Sequence, residues 1–438
     1  MELYIHIPFC VRKCGYCDFL SFSGDAAAQE AYMEALLREV RWAGKACGGR
    51  RERTWGTDDG PAAGQTQPGQ RSSKGGKEAV ETVFVGGGTP SVLESVWIGR
   101  LLEAVYKSFA VAADAEITIE ANPGTLTTEK LKSYRRAGIN RLSMGLQSMD
   151  NRELKELGRI HTAEEFLKNY YMAREAGFAN INIDLMSALP GQTKKSWEET
   201  LRRTAELQPE HISAYSLMIE EGTPFWERYG RGQSGMPAGE RAVSGNVSLS
   251  VGQIQRPCDY PPLPSEEEDR AMYRQTKKRL ALAGYERYEI SNYARPGYEC
   301  RHNVGYWTRV PYVGLGLGAA SFYEGERFSN VRDLACYISL LKEGQGTGLR
   351  APWQEERQTV GEREAMEEFM FLGLRLTAGI GESDFQRVFA RKIGQVYGTV
   401  LGRLTSQGLL EKTTNGWRLS EWGLDVSNRV LAEFLLEE

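Results

Sequence analysis

The feature that most constrains this chain is an alternation. Six short runs rich in β-branched and apolar residues recur along its first half: ELYIHIP (2–8), TVFVGGG (82–88), EITIEAN (116–122), RLSMGLQ (141–147), INIDLMS (181–187) and HISAYSL (211–217). Between them lie amphipathic helical patterns, such as TAEEFLKNYYMAREAG (162–177), with apolar residues three and four apart and glycine at the end. Strand then helix, six times over, predicts an α/β chain with a parallel sheet. Polar and special residues gather at the C-terminal ends of the runs, in GGGTP, EANPG, GLQS and DLMSALPGQT. Parallel α/β folds build their sites at those ends. Any one such loop is equally well a plain strand-to-helix turn. Several of them beside a cysteine cluster read as a ring of ligand loops.

At 438 residues the chain exceeds what one hydrophobic core usually holds, so a large domain with one or two smaller units is expected. Hydrophobic residues make up 41% and charged residues 26%, ordinary values for a soluble globular protein, and no apolar run reaches the roughly 18 residues of a membrane span. A net charge of -4 gives no global attraction for nucleic acid, and none is expected as a partner. The opening MELYIHIP lacks a basic head and a long apolar run, so a cytoplasmic chain with reduced cysteines is expected.

Two segments break the rhythm, 45–79 and 231–269, both rich in Gly, Pro, Ser and charge. They read as mobile surface insertions carrying Cys47 and Cys258. The expected organisation is a strand-helix domain over 1–230 with the first insertion inside it, the second insertion at 231–269, an extension over 270–350, and a C-terminal domain over 351–438. Within the last, 397–435 reads as a helix, a hairpin around TTNGW and a final helix. That is a winged-helix-like α+β unit, whose interspersed acidic residues favour packing or a partner over DNA.

The chain has seven cysteines, and three of them, Cys10, Cys14 and Cys17, fall within eight positions in YIHIPFCVRKCGYCDF (4–19). Their C-x3-C-x2-C spacing lacks the fourth nearby ligand that structural zinc takes. An iron-sulfur cluster held by three thiolates instead leaves one iron open to another ligand. Arg12, Lys13, Gly15 and Asp18 between and beside them suit a loop rather than a core.

The same motif, with Tyr16 as the aromatic before the third cysteine, resembles the signature of radical S-adenosylmethionine enzymes, and VGGGTP resembles their glycine-rich loop. The resemblance implies a partial (β/α)6 barrel, a 4Fe-4S cluster on Cys10, Cys14 and Cys17, and S-adenosylmethionine chelated to the open iron. Glycines there would let backbone amides approach the ligand. YIHIPFC, GGGTPS, RLSMGLQS, GRIH, DLM with LPGQT, and HNVGYW together resemble the oxygen-independent coproporphyrinogen III oxidase-like family, over nearly the whole chain outside the two insertions. By motif position, that likeness puts Tyr4, Tyr16, Gly87, Gly88, Thr89, Glu120, Gln147, Arg159 and Asp184 around S-adenosylmethionine. The chemistry suits them: Glu120 and Asp184 can accept from an amino group or ribose hydroxyls, Gln147 can do either, and Arg159 can pair with a carboxylate. Each alone is as readily a turn cap or a surface ion pair. Ala188 departs from the glycine typical of relatives.

Within that family the oxidase motif continues to a further cysteine two residues after the third, where this chain has Phe19, and oxidases carry an N-terminal extension, where only nine residues precede Cys10. Both differences resemble the branch of heme chaperones, which bind heme and hand it to haem proteins of the respiratory chain. The resemblance therefore implies heme as cargo, acceptor haem proteins as partners, some of them membrane-associated, and no coproporphyrinogen decarboxylation. The alternative is the decarboxylase itself. His302, with Asn303, Tyr306 and Trp307, matches an HNxxYW motif of that branch and is expected to ligate heme iron. Neutral imidazole is a common axial ligand and aromatics stack on porphyrin, although the same residues could be a bonded loop histidine beside ordinary core. Cys300 is a rival heme ligand, His6 is expected to point toward the barrel or its cluster, and Cys336 is expected in a helix core.

Overall fold

The computed structural model describes residues 1–47, 79–230, 260–344 and 350–436, so Cys258 and most of both expected insertions lie outside the described residues. Six strands, β1 (Glu2–Ile7), β2 (Val80–Gly87), β3 (Val111–Ala121), β4 (Arg141–Gln147), β5 (Ile181–Ser187) and β6 (His211–Ser216), pair in parallel in chain order. Their period of two sorts the side chains. On β1, Leu3, Ile5 and Ile7 join Leu36, Leu37 and Val40 of α1 (Ala26–Cys47) and Leu101 of α2 (Ser95–Ser108) in one apolar core. Glu2, Tyr4 and His6 face the other way, into the curve of the sheet, so a polar lumen runs beneath a greasy outer wall.

The helices start where the sequence supplies caps. Thr127 accepts from the Lys130 amide ahead of α3 (Thr128–Arg136), and Asp150 accepts from that of Arg152 ahead of α4 (Asn151–Glu156). Reciprocal capping boxes begin α5 (Ala163–Glu175), through Thr162 and Glu165, and α6 (Lys194–Glu206), through Thr193 and Ser196. Such caps contribute about 1 kcal/mol each and fix where each crossover turns back from the barrel mouth.

After the short α7 (Pro224–Tyr229) comes α8 (Glu266–Leu282), boxed by Ser265 and Glu268, so the last residues of the expected 231–269 insertion are helical. Likewise Lys45 and Cys47, expected in the first insertion, close α1. Strand β8 (Asn292–Ala294) adds antiparallel to β6, and β7 (Glu286–Arg287) pairs antiparallel with β8 at the sheet's edge. Next, α9 (Arg301–Trp307) carries the HNxxYW residues, and β9 (Tyr312–Leu315) pairs in parallel with β1. Antiparallel β10 (Ala320–Tyr323) and β11 (Glu326–Asn330) follow, then α10 (Leu334–Glu343) and β12 (Gln354–Thr359), which completes a sheet of twelve strands among the described residues. Cys336 on α10 is exposed, contrary to expectation, because Tyr337 and Leu341 are the residues that helix turns inward.

The remaining elements form a separate core built on Met370, Phe385, Tyr397, Leu401, Trp417 and Phe434. They are α11 (Glu362–Gly373), β13 (Ile380–Gly381), α12 (Glu382–Phe389), α13 (Ile393–Ser406), the hairpin β14 (Leu410–Lys412) and β15 (Gly416–Leu419), α14 (Glu421–Asp425) and α15 (Ser427–Ala432). Helix, hairpin and helix match the expected winged-helix-like order, with the final helix broken in two. This unit meets the barrel at α9: Glu368 of α11 pairs with Arg309 at 3.0 Å and Arg327 at 2.6 Å, and Arg375 lies 4.3 Å above the Trp307 ring. No helix among the described residues is long and apolar enough to cross a membrane.

Candidate functional site

The loop after β1 lies across the C-terminal end of the strands and is tied down at both sides. The Cys10 amide donates to the Phe22 carbonyl at 3.0 Å, Gly15 donates to Leu157 at 3.3 Å, and Phe225 donates to Gly15 at 2.9 Å. Arg12 reaches the Gly158 carbonyl at 2.6 Å and Lys13 the Phe19 carbonyl at 2.9 Å. From below, His6 Nε2 bonds the Leu20 carbonyl at 2.8 Å, so His6 anchors the loop rather than a metal. Tyr16 packs edge-on against Phe225, 6.2 Å between centroids. Cys10, Cys14 and Cys17 are thereby held half-buried on one loop. Among the described residues no three His, Cys, Asp or Glu side chains close on one point as single-ion ligands. A cuboidal cluster makes a different demand, one thiolate at each of three separated corners.

Around those thiols the structure builds a hydrogen-bonded wall. Thr89 Oγ1 lies 3.4 Å from Cys10 Sγ and accepts from Asn122 Nδ2 at 2.8 Å. Arg159 donates to Asn122 Oδ1 at 2.5 Å, to the Gly145 carbonyl at 2.6 Å, and to Cys14 Sγ at 3.7 Å. A methyl group added at Gly145 would lie 3.0 Å from Arg159 Nη2 and 3.2 Å from both Asn122 Oδ1 and Gln147 Nε2, which shows how closely these three side chains converge. Gln147 takes a left-handed φ of 73° at the end of β4, a conformation that non-glycine residues adopt at a cost. Among the described residues, the buried Nε of Arg159 has no hydrogen-bond partner.

Below this layer Glu120 accepts from the Gly87 amide at 3.0 Å. Burial, reinforced by the charge of Asp184, pushes its carboxyl up to about 8. Asp184 accepts from Asn182 at 2.8 Å and Ser143 at 3.2 Å, and burial raises it too. Tyr4 bonds His6 Nδ1 at 2.9 Å, and its ring centroid lies 6.4 Å from that of Phe84. The expected residues thus divide into a mouth (the cysteines, Tyr16, Thr89, Gln147, Arg159) and a lumen beneath it (Tyr4, Glu120, Asp184). The glycines have a cause besides ligand approach: a Cβ on Gly87 would sit 2.5 Å from the His6 ring and one on Gly88 would sit 2.7 Å from the Phe9 carbonyl. Close packing of β2 on β1 alone requires them. Asn122, the link between Thr89 and Arg159, was within EANPG but not singled out; an asparagine in a turn carries no distinctive signal until its partners are known.

His302 lies at the other end of the barrel. Its Nδ1 is 2.6 Å from Thr82 Oγ1, at the start of β2, and its Nε2 is 3.0 Å from the Tyr306 hydroxyl. The ring stacks on Phe84 at 5.1 Å and is 2% exposed, and burial drives its pKa down to about 3. Both nitrogens of this neutral imidazole are engaged, so in this conformation it presents no lone pair to a heme iron. Helix α9 plugs the floor of the barrel, with Arg375 covering Trp307 on its far side. Cys300 is fully buried and bonded to Glu116 at 3.5 Å; burial raises its thiol to about 12, so it offers no thiolate either. His161 bonds the Leu146 carbonyl at 3.3 Å, and His211 bonds Asn182 at 2.6 Å and Tyr288 at 2.8 Å.

Residues 70–204 match the radical SAM superfamily, and residues 361–426 match the HemN C-terminal domain. The heme chaperone HemW of Bacillus subtilis is 32% identical over 435 residues, 99% of both chains. The heme chaperone HemW of Escherichia coli is 32% identical over 441 residues, covering 100% of this chain and 98% of its own. This chain belongs to the HemW family. Among solved structures, coproporphyrinogen III oxidase (HemN) from Escherichia coli, a radical SAM enzyme, superposes with a TM-score of 0.73 at 22% identity, over 99% of this chain and 89% of its own, a likeness of fold. The HemW assignment joins the two sequence matches in one chain: a radical SAM barrel, whose superfamily implies a 4Fe-4S cluster and S-adenosylmethionine, and the C-terminal unit packed beneath it.

Proposed function

We propose that this chain carries heme to acceptor haem proteins, with a 4Fe-4S cluster on Cys10, Cys14 and Cys17 and S-adenosylmethionine in the barrel mouth below them. The observation that carries this reading is the wall of directed donors at two of those thiols, Thr89 at Cys10 and Arg159 at Cys14, in a HemW chain. Positively polarised donors around sulfur suit thiolates bound to iron better than they suit neutral thiols. Bound there, the cluster supplies an electron to the sulfonium cofactor. The protein's own part is to orient that cofactor: Arg159 can meet its carboxylate, while Glu120 and Asp184 accept from its amino group or ribose hydroxyls, with Tyr4, Tyr16, Gly87, Gly88, Thr89 and Gln147 completing the contacts.

The second reading is an anaerobic coproporphyrinogen decarboxylase, and Phe19 speaks against it. In the position where oxidases have a further cysteine, this side chain is 69% exposed, an apolar surface rather than a thiol. Anaerobically reconstituted protein is expected to bind hemin and to leave coproporphyrinogen III unchanged; turnover to protoporphyrinogen IX would overturn the carrier reading. His302 enters as a strut of the barrel floor. Ligation of heme by its imidazole requires α9 to leave the barrel, and loss of hemin binding in a folded H302A protein would show that it does.

A further inference from the structure

Asn122 stands at the centre of a chain of hydrogen bonds with one available direction. The Arg159 guanidinium can only donate, so Asn122 Oδ1 must be the acceptor at 2.5 Å and its Nδ2 is left to donate to Thr89 Oγ1 at 2.8 Å. With that lone pair of Thr89 engaged, the Thr89 hydroxyl is free to donate to Cys10 Sγ at 3.4 Å. The same guanidinium donates to Cys14 Sγ. One half-buried cation therefore aims donors at two thiols of the loop, directly at one and through Asn122 and Thr89 at the other. Asn122 is itself fixed: its backbone amide donates to Ser91 at 3.1 Å, and its carbonyl accepts from Thr125 Oγ1 at 2.7 Å.

We propose that Asn122 is a positioning residue that sets the hydrogen bonding of the cluster thiolates, and through it the reduction potential of the cluster. Hydrogen bonds to ligating sulfur stabilise the more electron-rich, reduced state, so they raise the potential. Leucine at this position has similar bulk but can neither accept from Arg159 nor donate to Thr89. Aspartate keeps the acceptor and lacks the donor, so the Thr89 proton would turn from sulfur to carboxylate.

The inference rests on the reading that Cys10, Cys14 and Cys17 hold a cluster, and the test separates the two. Wild type, Asn122→Leu, Asn122→Asp, Thr89→Val and the Asn122→Leu/Thr89→Val double variant are reconstituted anaerobically and titrated with reductant, followed by electron paramagnetic resonance. Each single variant is expected to have a more negative midpoint than wild type. The double variant is expected to shift by less than the two single shifts combined, because both act on one bond series. A folded variant that fails to take up the cluster supports the same role, since its thiols are then misplaced. Variants that load with the wild-type midpoint, or shifts that simply add, overturn it. If wild type itself takes up no cluster, the cofactor reading fails instead.

Discussion

His302 Nδ1 lies 2.6 Å from the hydroxyl of Thr82, at the opposite end of β2 from the glycine loop that faces the cysteines. The HNxxYW helix is therefore built into the barrel floor. Removing the imidazole strips partners from Thr82 and Tyr306 and leaves a cavity beside Phe84. His302→Ala is expected to cost on the order of 3 kcal/mol, from lost packing and unpaired buried hydroxyls. Chemical denaturation reads this as an earlier midpoint, while hemin titration at a temperature where the variant is folded should still show binding. A variant as stable as wild type that no longer binds hemin would return the residue to the heme site.

Glu2 gives the floor a pH dependence. Its carboxyl is buried against α9, where a Cβ on Gly305 would overlap it, and burial pushes it up to about 8 from an ordinary 4.5. The nearby His302 is neutral; the N-terminal ammonium, Thr82 and Arg301 favour the ionised form, and Glu116 opposes it. The native state thus holds a proton that the unfolded chain releases. This contribution is fully present below pH 4.5 and is lost as pH rises through about 8. Glu2→Gln mimics the protonated acid and should flatten that fall. Denaturation midpoints at pH 5, about 7 and above 8 check it; equal slopes for the two proteins would exclude Glu2 as the source.

Much of this fold was legible because period and punctuation agreed. The six parallel strands fall where the runs were read, since β-branched alternation, caps and terminal glycines all pointed one way. The flanking strands β7 to β12 were not read. They are short, and β12, QEERQT, is almost wholly polar, so pairing with β11 rather than composition makes it a strand. At the site, residue types were readable but depth was not. Cys336 lies exposed where a helix core was expected, and His302 lies buried, because which face a helix turns inward depends on what lies across from it. A motif of chemically capable residues looks alike whether it lines a ligand site or plugs a barrel.

Ala188 is a non-glycine residue in a turn whose backbone favours glycine, and the backbone shows what that costs. Its φ is 58°, in the left-handed region, at the turn that leaves β5. A Cβ there is disfavoured by about 1 kcal/mol, partly offset by the lower backbone entropy of alanine in the unfolded chain. Ala188→Gly is expected to stabilise the protein by several tenths of a kcal/mol, read as a later denaturation midpoint with unchanged slope. A loss of stability would mean that the methyl group, itself buried, contributes more in packing than the turn costs.

If S-adenosylmethionine binds as proposed, Glu120 would link the lumen to the pH dependence of that binding. Its carboxylate is held by the Gly87 amide at 3.0 Å, yet burial and the neighbouring Asp184 keep it protonated until about 8. A ligand donating from an ammonium group or ribose hydroxyls binds the ionised carboxylate more strongly, since hydrogen bonds to charged groups are worth about 1.5 to 3 kcal/mol. Binding must then displace the proton, so affinity for S-adenosylmethionine should rise as pH climbs toward 8 and level off above it. Glu120→Gln cannot ionise; it should bind on the order of tenfold to a hundredfold more weakly at the upper end and lose the pH dependence. Equilibrium dialysis of reconstituted protein across this range measures both effects. A variant that keeps the wild-type pH profile would place the titrating group elsewhere, with Asp184 the next residue to test.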